Sequence, residues 1–334
     1  MGFLKRITRQ REFMIFAISA AMFVMMSFAS PAFLNRLNLL ALVLGMSIEV
    51  LIGVAMTNLM VSGGIDMSVG SVLAFTGSAT AMLMKNGIPV PLAVLVGLLG
   101  AACVGLFNGV IVSKIGINPF VTTLASLSLF RGLTLIITRG LNISPLPGTF
   151  NKIGQNVILG VQTPIWFALI FVVLGDVLLR KARFFRQNYY IGGAEKAARL
   201  SGIPVDKMKM LNYVFTGVFA GIAGVIMTAR LGTASTTAGT GMELRVITAV
   251  IIGGASLQGG EGTVLGTFFG SLLMALMANA MNLLGVDVYW QTFVVGATLL
   301  VAVLIDQIGK IRREKRSVKK KELKPQAGAV IKQS

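Results

Sequence analysis

The 334-residue sequence contains no histidine and a single cysteine, Cys103, and its 12 acidic residues face 30 lysines and arginines. A chain without histidine points away from zinc chemistry and from imidazole acid–base catalysis. One cysteine forms no intrachain disulfide. No Walker A segment (G-x-x-x-x-G-K-[ST]) occurs, so any ATP that drives this protein is hydrolysed by a partner. Charged residues amount to only 13% of the chain and hydrophobic residues to 55%, a balance outside the range of soluble domains. The reading assigns no catalytic residue, no metal and no cofactor.

What is present is a series of long apolar runs, several of 18 residues or more without a charge, the mark of a polytopic helical membrane protein. The net charge of +18 would suit nucleic acid, but its placement argues otherwise. Of the 30 basic residues, 22 fall in three segments: the start to Arg11, residues 180–209, and the tail from Lys310. Basic clusters between spans stay on the cytoplasmic side, and anionic lipid headgroups, not nucleic acid, are their natural partner. The first apolar run follows a basic start and lacks a small-residue cleavage site, so it reads as a retained span.

Taken in order, the runs 13–30, 39–61, 69–84, 91–113, 119–138, 163–179, 210–229, 246–257, 262–284 and 288–305 give about ten spans of membrane length or nearly so. The run 246–257 is short, either a tilted span starting near Met242 or a half-helix. Residues 139–162 and 230–243 read as external loops. Ten spans place both termini and the segment 180–209 in the cytoplasm. Residues 1–309 form one transmembrane domain, and 310–334 a basic tail with the composition of a disordered segment.

The segment 180–209 is the longest polar stretch before the tail, with eight basic residues and two acids. Its centre, Gly193 to Gly202 (GAEKAARLSG), reads as a short helix stopped by Gly202 and Pro204. Ala194, Ala197, Ala198 and Ser201 give it a small, flat face suited to a groove on another protein, although an ordinary solvated loop has the same composition.

Here the sequence resembles a known family. The run from Glu195 to Gly202 (Glu-Lys-Ala-Ala-x-x-x-Gly) is similar to the EAA loop of ABC importer permeases. Gly64 to Ser71 (GIDMSVGS) and the stretch from Thr237 to Asp306, with TAGTGMEL, IIGGASLQGGEGTVLGT and NLLGVDVYWQ, resemble the ribose-type monosaccharide branch. The likeness covers nearly the whole chain. It implies an all-α polytopic bundle of about ten transmembrane helices, of the type II ABC importer kind, in the bacterial inner membrane. The implied partners are an ABC ATPase subunit, a periplasmic substrate-binding protein and a second permease copy. The residues that would dock on the ATPase are Gly193, Ala194, Glu195, Ala197, Ala198, Arg199 and Gly202. A secondary transporter or channel, independent of an ATPase, is the competing reading; the absence of histidine and the scarcity of buried acids count against proton coupling.

The residues themselves offer candidates for the translocation path. Val61 to Leu73 and Ile252 to Leu265 echo each other, each with paired glycines ending one apolar run and Gly-[Ser/Thr]-Val-Leu opening the next. Gly63, Gly64, Gly253 and Gly254 therefore stand either in a substrate-lining region or in tight turns. Asp66, followed by Ser68, either caps the next helix or contacts a sugar. Asn58, Asn108 and Asn279 (with Asn282 and Gln291) present amides to a polyhydroxy ligand, and Phe75 (with Phe107) a ring face; interhelical hydrogen bonds and packing explain the same residues. Glu49, Arg131 and Asp176 lie at or near membrane depth, where ionisable groups face the bundle interior or pair with one another.

Overall fold

Each apolar run becomes a helix, and its ends are set by short polar punctuation. Asn35 accepts from the amide of Leu37 at 2.9 Å and Asn118 from that of Phe120 at 2.9 Å, each satisfying an amide that has no partner in the first helical turn. The structure, a computed structural model, describes residues 11–322. The basic lead before Arg11 and the end of the tail beyond Glu322 lie outside the described residues.

The helices are α1 (Arg11–Ala29), α2 (Arg36–Val61), α3 (Val69–Lys85), α4 (Val90–Val110, continued by a π turn to Ile115), α5 (Pro119–Thr138), α6 (Gly148–Gln155), α7 (Thr163–Lys181), α8 (Arg183–Gly193), α9 (Glu195–Leu200), α10 (Val205–Leu231), α11 (Met242–Ile252), α12 (Val264–Leu283) and α13 (Val288–Glu322). A two-residue hairpin, β1 (Val157–Ile158) with β2 (Val161–Gln162), precedes α7. The end of the bundle that carries residues 180–209 is called the basic end below.

Helices α2 and α10 form the centre. Their apolar windows are 72% and 61% buried, against 17% for α1 and 6% for α13, so the outer helices present apolar surface to a membrane-like surround. α10 packs on α4, α3 and α2. The approach is close because Gly217 of α10 lies against Ala101 and Gly105 of α4, where a Cβ would meet backbone atoms. Small residues at such crossings let helices gain dispersion contact where lipid removes the hydrophobic drive. The main apolar cluster joins Leu51, Met56, Leu59, Leu73, Ala101, Tyr213 and Val250 from five helices.

Among the described residues, eight helices are long and apolar enough to cross a membrane. The two remaining spans of the sequence reading are shorter. α3 has 17 residues. α11 has 11, about 16 Å at 1.5 Å per residue, roughly half a hydrocarbon core. Of the two readings of 246–257, the half-length helix is the one observed.

The stretch expected as a second external loop, 230–243, folds into the bundle. Arg131 of α5 donates to the carbonyl oxygens of Thr236 at 2.8 Å and Ala238 at 2.9 Å. Gly239, with a φ of 69°, sits directly on Gly70 at the start of α3. The carbonyls of an irregular segment inside a bundle need donors, and Arg131 supplies two.

The other expected external loop, 139–162, is ordered by α6, by the fully buried Phe150 and by pairing of Ile143 with Ala234. The last helix runs on past Gln307 to Glu322, where the composition of the tail predicts disorder. High helix propensity in its Lys, Arg and Glu residues accounts for the extension.

Candidate functional site

The polar segment 180–209 forms two helices, not one. α8 is amphipathic, with Ile191 buried and Asn188 fully buried. α9 is six residues long and ends at Gly202, whose φ of 81° suits glycine beyond a helix end. Glu195 accepts from Lys209 at 2.6 Å and pairs with Arg199 at 3.0 Å, and Arg199 also bonds Asp206 at the head of α10. The Lys209 bond, helped by Arg199, holds the Glu195 carboxyl below the usual carboxylate range.

These ion pairs brace α9 against the end of α10. Beside it lies a groove of about 420 Å³ lined by Tyr189, Tyr190, Gly193, Ala194, Ala197 and Ser201. Leu200 of α9, 90% exposed, and Tyr190 of α8, 58% exposed, stand on these two short helices.

The flat face expected of this helix needs one correction. Ala198 is 3% exposed and packs with Ile191, Val205 and Met208. Ala194, Ala197 and Ser201 remain exposed. One turn of helix cannot place 197 and 198 on the same side, since neighbours are 100° apart.

The two glycine breaks meet at the basic end. Gly260 donates its amide to the carbonyl of Val61 at 2.8 Å. Gly192 of α8 lies against the same carbonyl and against Gly259 and Gly260, with no room for a Cβ. Tyr189 donates to the carbonyl of Gly262 at 2.6 Å, and burial raises its hydroxyl pKa. Thus the basic segment, the 61–68 turn and the 253–263 turn share one backbone contact. Within them Gly63 and Gly254 adopt left-handed φ values of 83° and 97°. Gly64 closes on Leu59 and Tyr213, and Gly253 on the backbone of α12.

Asn58 belongs to a closed ring of three buried amides. It donates to Asn212 at 2.8 Å, Asn212 donates to Asn188 at 2.9 Å, and Asn188 donates to Asn58 at 2.7 Å. Asp66 accepts from both the amide and the hydroxyl of Ser68, at 2.8 and 2.6 Å, closing the turn into α3. Asn108 donates to the Ser68 hydroxyl at 3.0 Å and accepts from Ser126. Phe75 packs on Phe130, centroids 5.8 Å apart. All of these polar groups are buried and bonded to one another.

Asn279 is different. It exchanges hydrogen bonds with Asn38 and lines a cavity of about 310 Å³ that also holds Glu49, Arg230, Arg245 and Asn282. Glu49 pairs with Arg245 at 3.0 Å, and Asp176 pairs with Arg180 at 2.8 Å. Of the three ionisable groups expected at depth, Glu49 thus pairs within the bundle, Asp176 pairs with the first residue of the basic segment, and Arg131 bonds backbone carbonyls.

Sequence reasoning missed Asn188 and Asn212, whose only signal is an amide on an otherwise apolar face. It missed Arg230 and Arg245 because both stand at the edges of a presumed loop.

A bundle with a lipid-facing apolar surround, buried interhelical amides and a braced polar helix at one end defines a polytopic membrane permease. The chain belongs to the family described as the branched-chain amino acid transport system permease component, whose pattern matches residues 37–303. It is 41% identical over 288 residues to the ribose import permease of Bacillus subtilis, covering 85% of this chain and 89% of the relative. It is 39% identical over 284 residues to the ribose import permease of Escherichia coli K12, with 83% and 88% covered. The L-arabinose ABC transporter permease of Azospirillum brasilense is 34% identical over 318 residues, with 95% and 92% covered. No solved structure matches.

Proposed function

We propose that this chain is the membrane subunit of an ATP-driven importer for a monosaccharide in the bacterial inner membrane. Its basic end lies in the cytoplasm. A separate ATPase docks there, and a periplasmic binding protein delivers the sugar to the opposite end. A second permease copy completes the assembly. The chain itself catalyses no step.

The observation that carries this reading is α9. An exposed helix, braced by the Glu195–Lys209 and Arg199–Asp206 bonds and flanked by an apolar groove, is a docking element and not a linker. Gly193, Ala194 and Ala197 form its small wall, Glu195 and Arg199 set its orientation, Ala198 anchors it and Gly202 ends it. The backbone contact of the preceding helix α8 with both glycine turns, through Gly192, gives a rigid route from the ATPase into α2, α3, α11 and α12. Asp66, Ser68 and Asn108 shape the first of those turns, and Asn58 ties it to α8. The names of the relatives, which specify ribose and L-arabinose, support the monosaccharide class, and the clustered Lys and Arg support the orientation.

Co-expression with the ATPase and binding protein tests the reading. The permease should retain the ATPase through purification, and uptake into vesicles should require ATP. Uptake that persists without an ATPase would instead make the chain a secondary transporter. Orientation is tested by labelling Lys196→Cys and Asn151→Cys in a Cys103→Ala background, since Cys103 is exposed. An impermeant reagent applied outside should reach the residue at 151 and not the one at 196.

A further inference from the structure

Glu49 lies midway along the 26-residue helix α2, with apolar neighbours on either side. Its partner Arg245 is on the half-length helix α11, and the two side chains are 13% and 39% exposed. A carboxylate and a guanidinium at this depth carry a desolvation cost that packing alone does not require. Both reach the 310 Å³ cavity that Arg230 and Asn279 also line. Arg230 forms no ion pair among the described residues.

A second cavity of about 260 Å³ adjoins the first, and Arg245, Met274 and Ala278 line both. Its outer wall includes Val288 and Gln291, at the end of the bundle opposite the basic segment. The first cavity reaches that end too, through Arg230 and Leu231 at the end of α10 and Asn282 at the end of α12, so the two cavities lie side by side with one arginine, one methionine and one alanine between them.

The chemistry of the first cavity is specific in kind. A carboxylate accepts from hydroxyl groups, guanidinium groups donate to them, and a carboxamide does both. Alternating donors and acceptors suit a neutral polyhydroxylated ring. An anion without hydroxyl groups leaves the Glu49 acceptors unused, and an acyl chain would gain nothing from charged walls. Met227, Met242 and Met274 supply flexible apolar walls that adapt to more than one ring. The volume stands near the lower limit for small-ligand sites, about 300–1,000 Å³.

We propose that Glu49, Arg245, Arg230 and Asn279 hold the transported monosaccharide weakly in the half of the bundle away from the basic end, and that Arg245 separates this cavity from the adjoining one. The proposal rests on the importer reading above and adds a sugar-contacting site to it.

The test uses the complete importer in proteoliposomes, with D-ribose, L-arabinose and D-allose as probes. The double variant Glu49→Gln/Arg245→Gln removes both charges together, so neither is left unpaired. Ala278→Leu fills the dividing wall and leaves every charge in place. In both, ATPase co-purification and ATP hydrolysis should persist. Uptake should fall about ten- to a hundredfold, the worth of one hydrogen bond to a charged group, and the relative rates for the three sugars should change.

Parental uptake by the double variant would show that the pair only balances charge, and would overturn the proposal. So would a uniform loss with parental sugar ratios, which marks a gate. A readout independent of the ATPase is labelling of Ala278→Cys in the Cys103→Ala background. At least one of the three sugars should slow it, and protection by none overturns the site even if the importer reading stands. If the permease never associates with an ATPase, the importer reading fails while this labelling result still decides the site.

Discussion

Asn188 donates its side-chain amide to the side-chain carbonyl of Asn58 at 2.7 Å, joining the helix ahead of the exposed α9 to the central helix α2. Both residues are buried, and Asn212 of α10 completes the ring. Around the ring each amide gives one bond and takes one, and Asn188 also reaches the Asn212 carbonyl at 3.4 Å. Such a ring fixes the rotation of three helices where apolar packing alone allows slippage.

Breaking the ring should therefore cost more than one hydrogen bond. Asn188→Ala strands the side-chain carbonyl acceptor of Asn58 and the side-chain donor of Asn212, a penalty of about 1–3 kcal/mol for each buried group left unmatched. The melting temperature of the purified permease should fall, and Asn58→Ala should cause a similar drop. The double variant should lose less than the sum, because both changes open the same ring. Additive losses would show that the three amides act separately.

Ala197 and Ala198 are adjacent in sequence and should respond differently. Ala198→Leu forces a larger side chain into the cluster with Ile191, Val205 and Met208, an overpacking cost of about 1–3 kcal/mol. Thermal stability should fall. Ala197→Leu points into the open groove and should leave stability unchanged while weakening ATPase co-purification. Normal co-purification of the Ala197→Leu permease would remove α9 from the docking surface.

Asp66 should tolerate replacement by asparagine and not by alanine. Its Oδ1 takes both bonds from Ser68, and an amide carbonyl accepts in the same place. Asp66→Ala should lower stability by about 0.5–2 kcal/mol, the range for a lost capping side chain, measured as a shift in melting temperature. Asp66→Asn with normal stability and abolished transport would instead assign the charge a role in translocation.

The brace on α9 should depend on pH in one direction. Glu195 has a lowered folded-state pKa, through Lys209 first. Its contribution is fully present above the unfolded carboxylate value of about 4.3 and is lost as pH falls through the folded value. Trypsin cleavage at Lys196 and Arg199 should therefore be unchanged between neutral and mildly acidic pH, as assayed by mass spectrometry. Glu195→Gln should raise cleavage at neutral pH. The effect should be small, because both partners are partly exposed and water screens them.

The amino-acid sequence by itself determined the class of protein, the positions of nearly all the long helices, the basic end and the glycine turns. Those features are local. Hydropathy sums along the chain, and a glycine at 202 or a proline at 204 acts within one turn. The helix starts at Asn35 and Asn118 are equally short-range, since a side chain caps an amide two residues away.

Tertiary structure alone decided what depends on which faces meet. Ala198 turned inward and Ala197 outward because the 100° step along a helix leaves one anchor position per turn. Residues 230–243 entered the bundle because Arg131, about a hundred residues earlier in the chain, offered two donors to its carbonyls. The short α11 could stop at half length only because Gly239 rests on Gly70 and the turn at 253–254 packs on α12. Glu49 found Arg245 by the same route: the pairing depends on the rotation and register of two helices nearly two hundred residues apart, set by every other contact in the bundle.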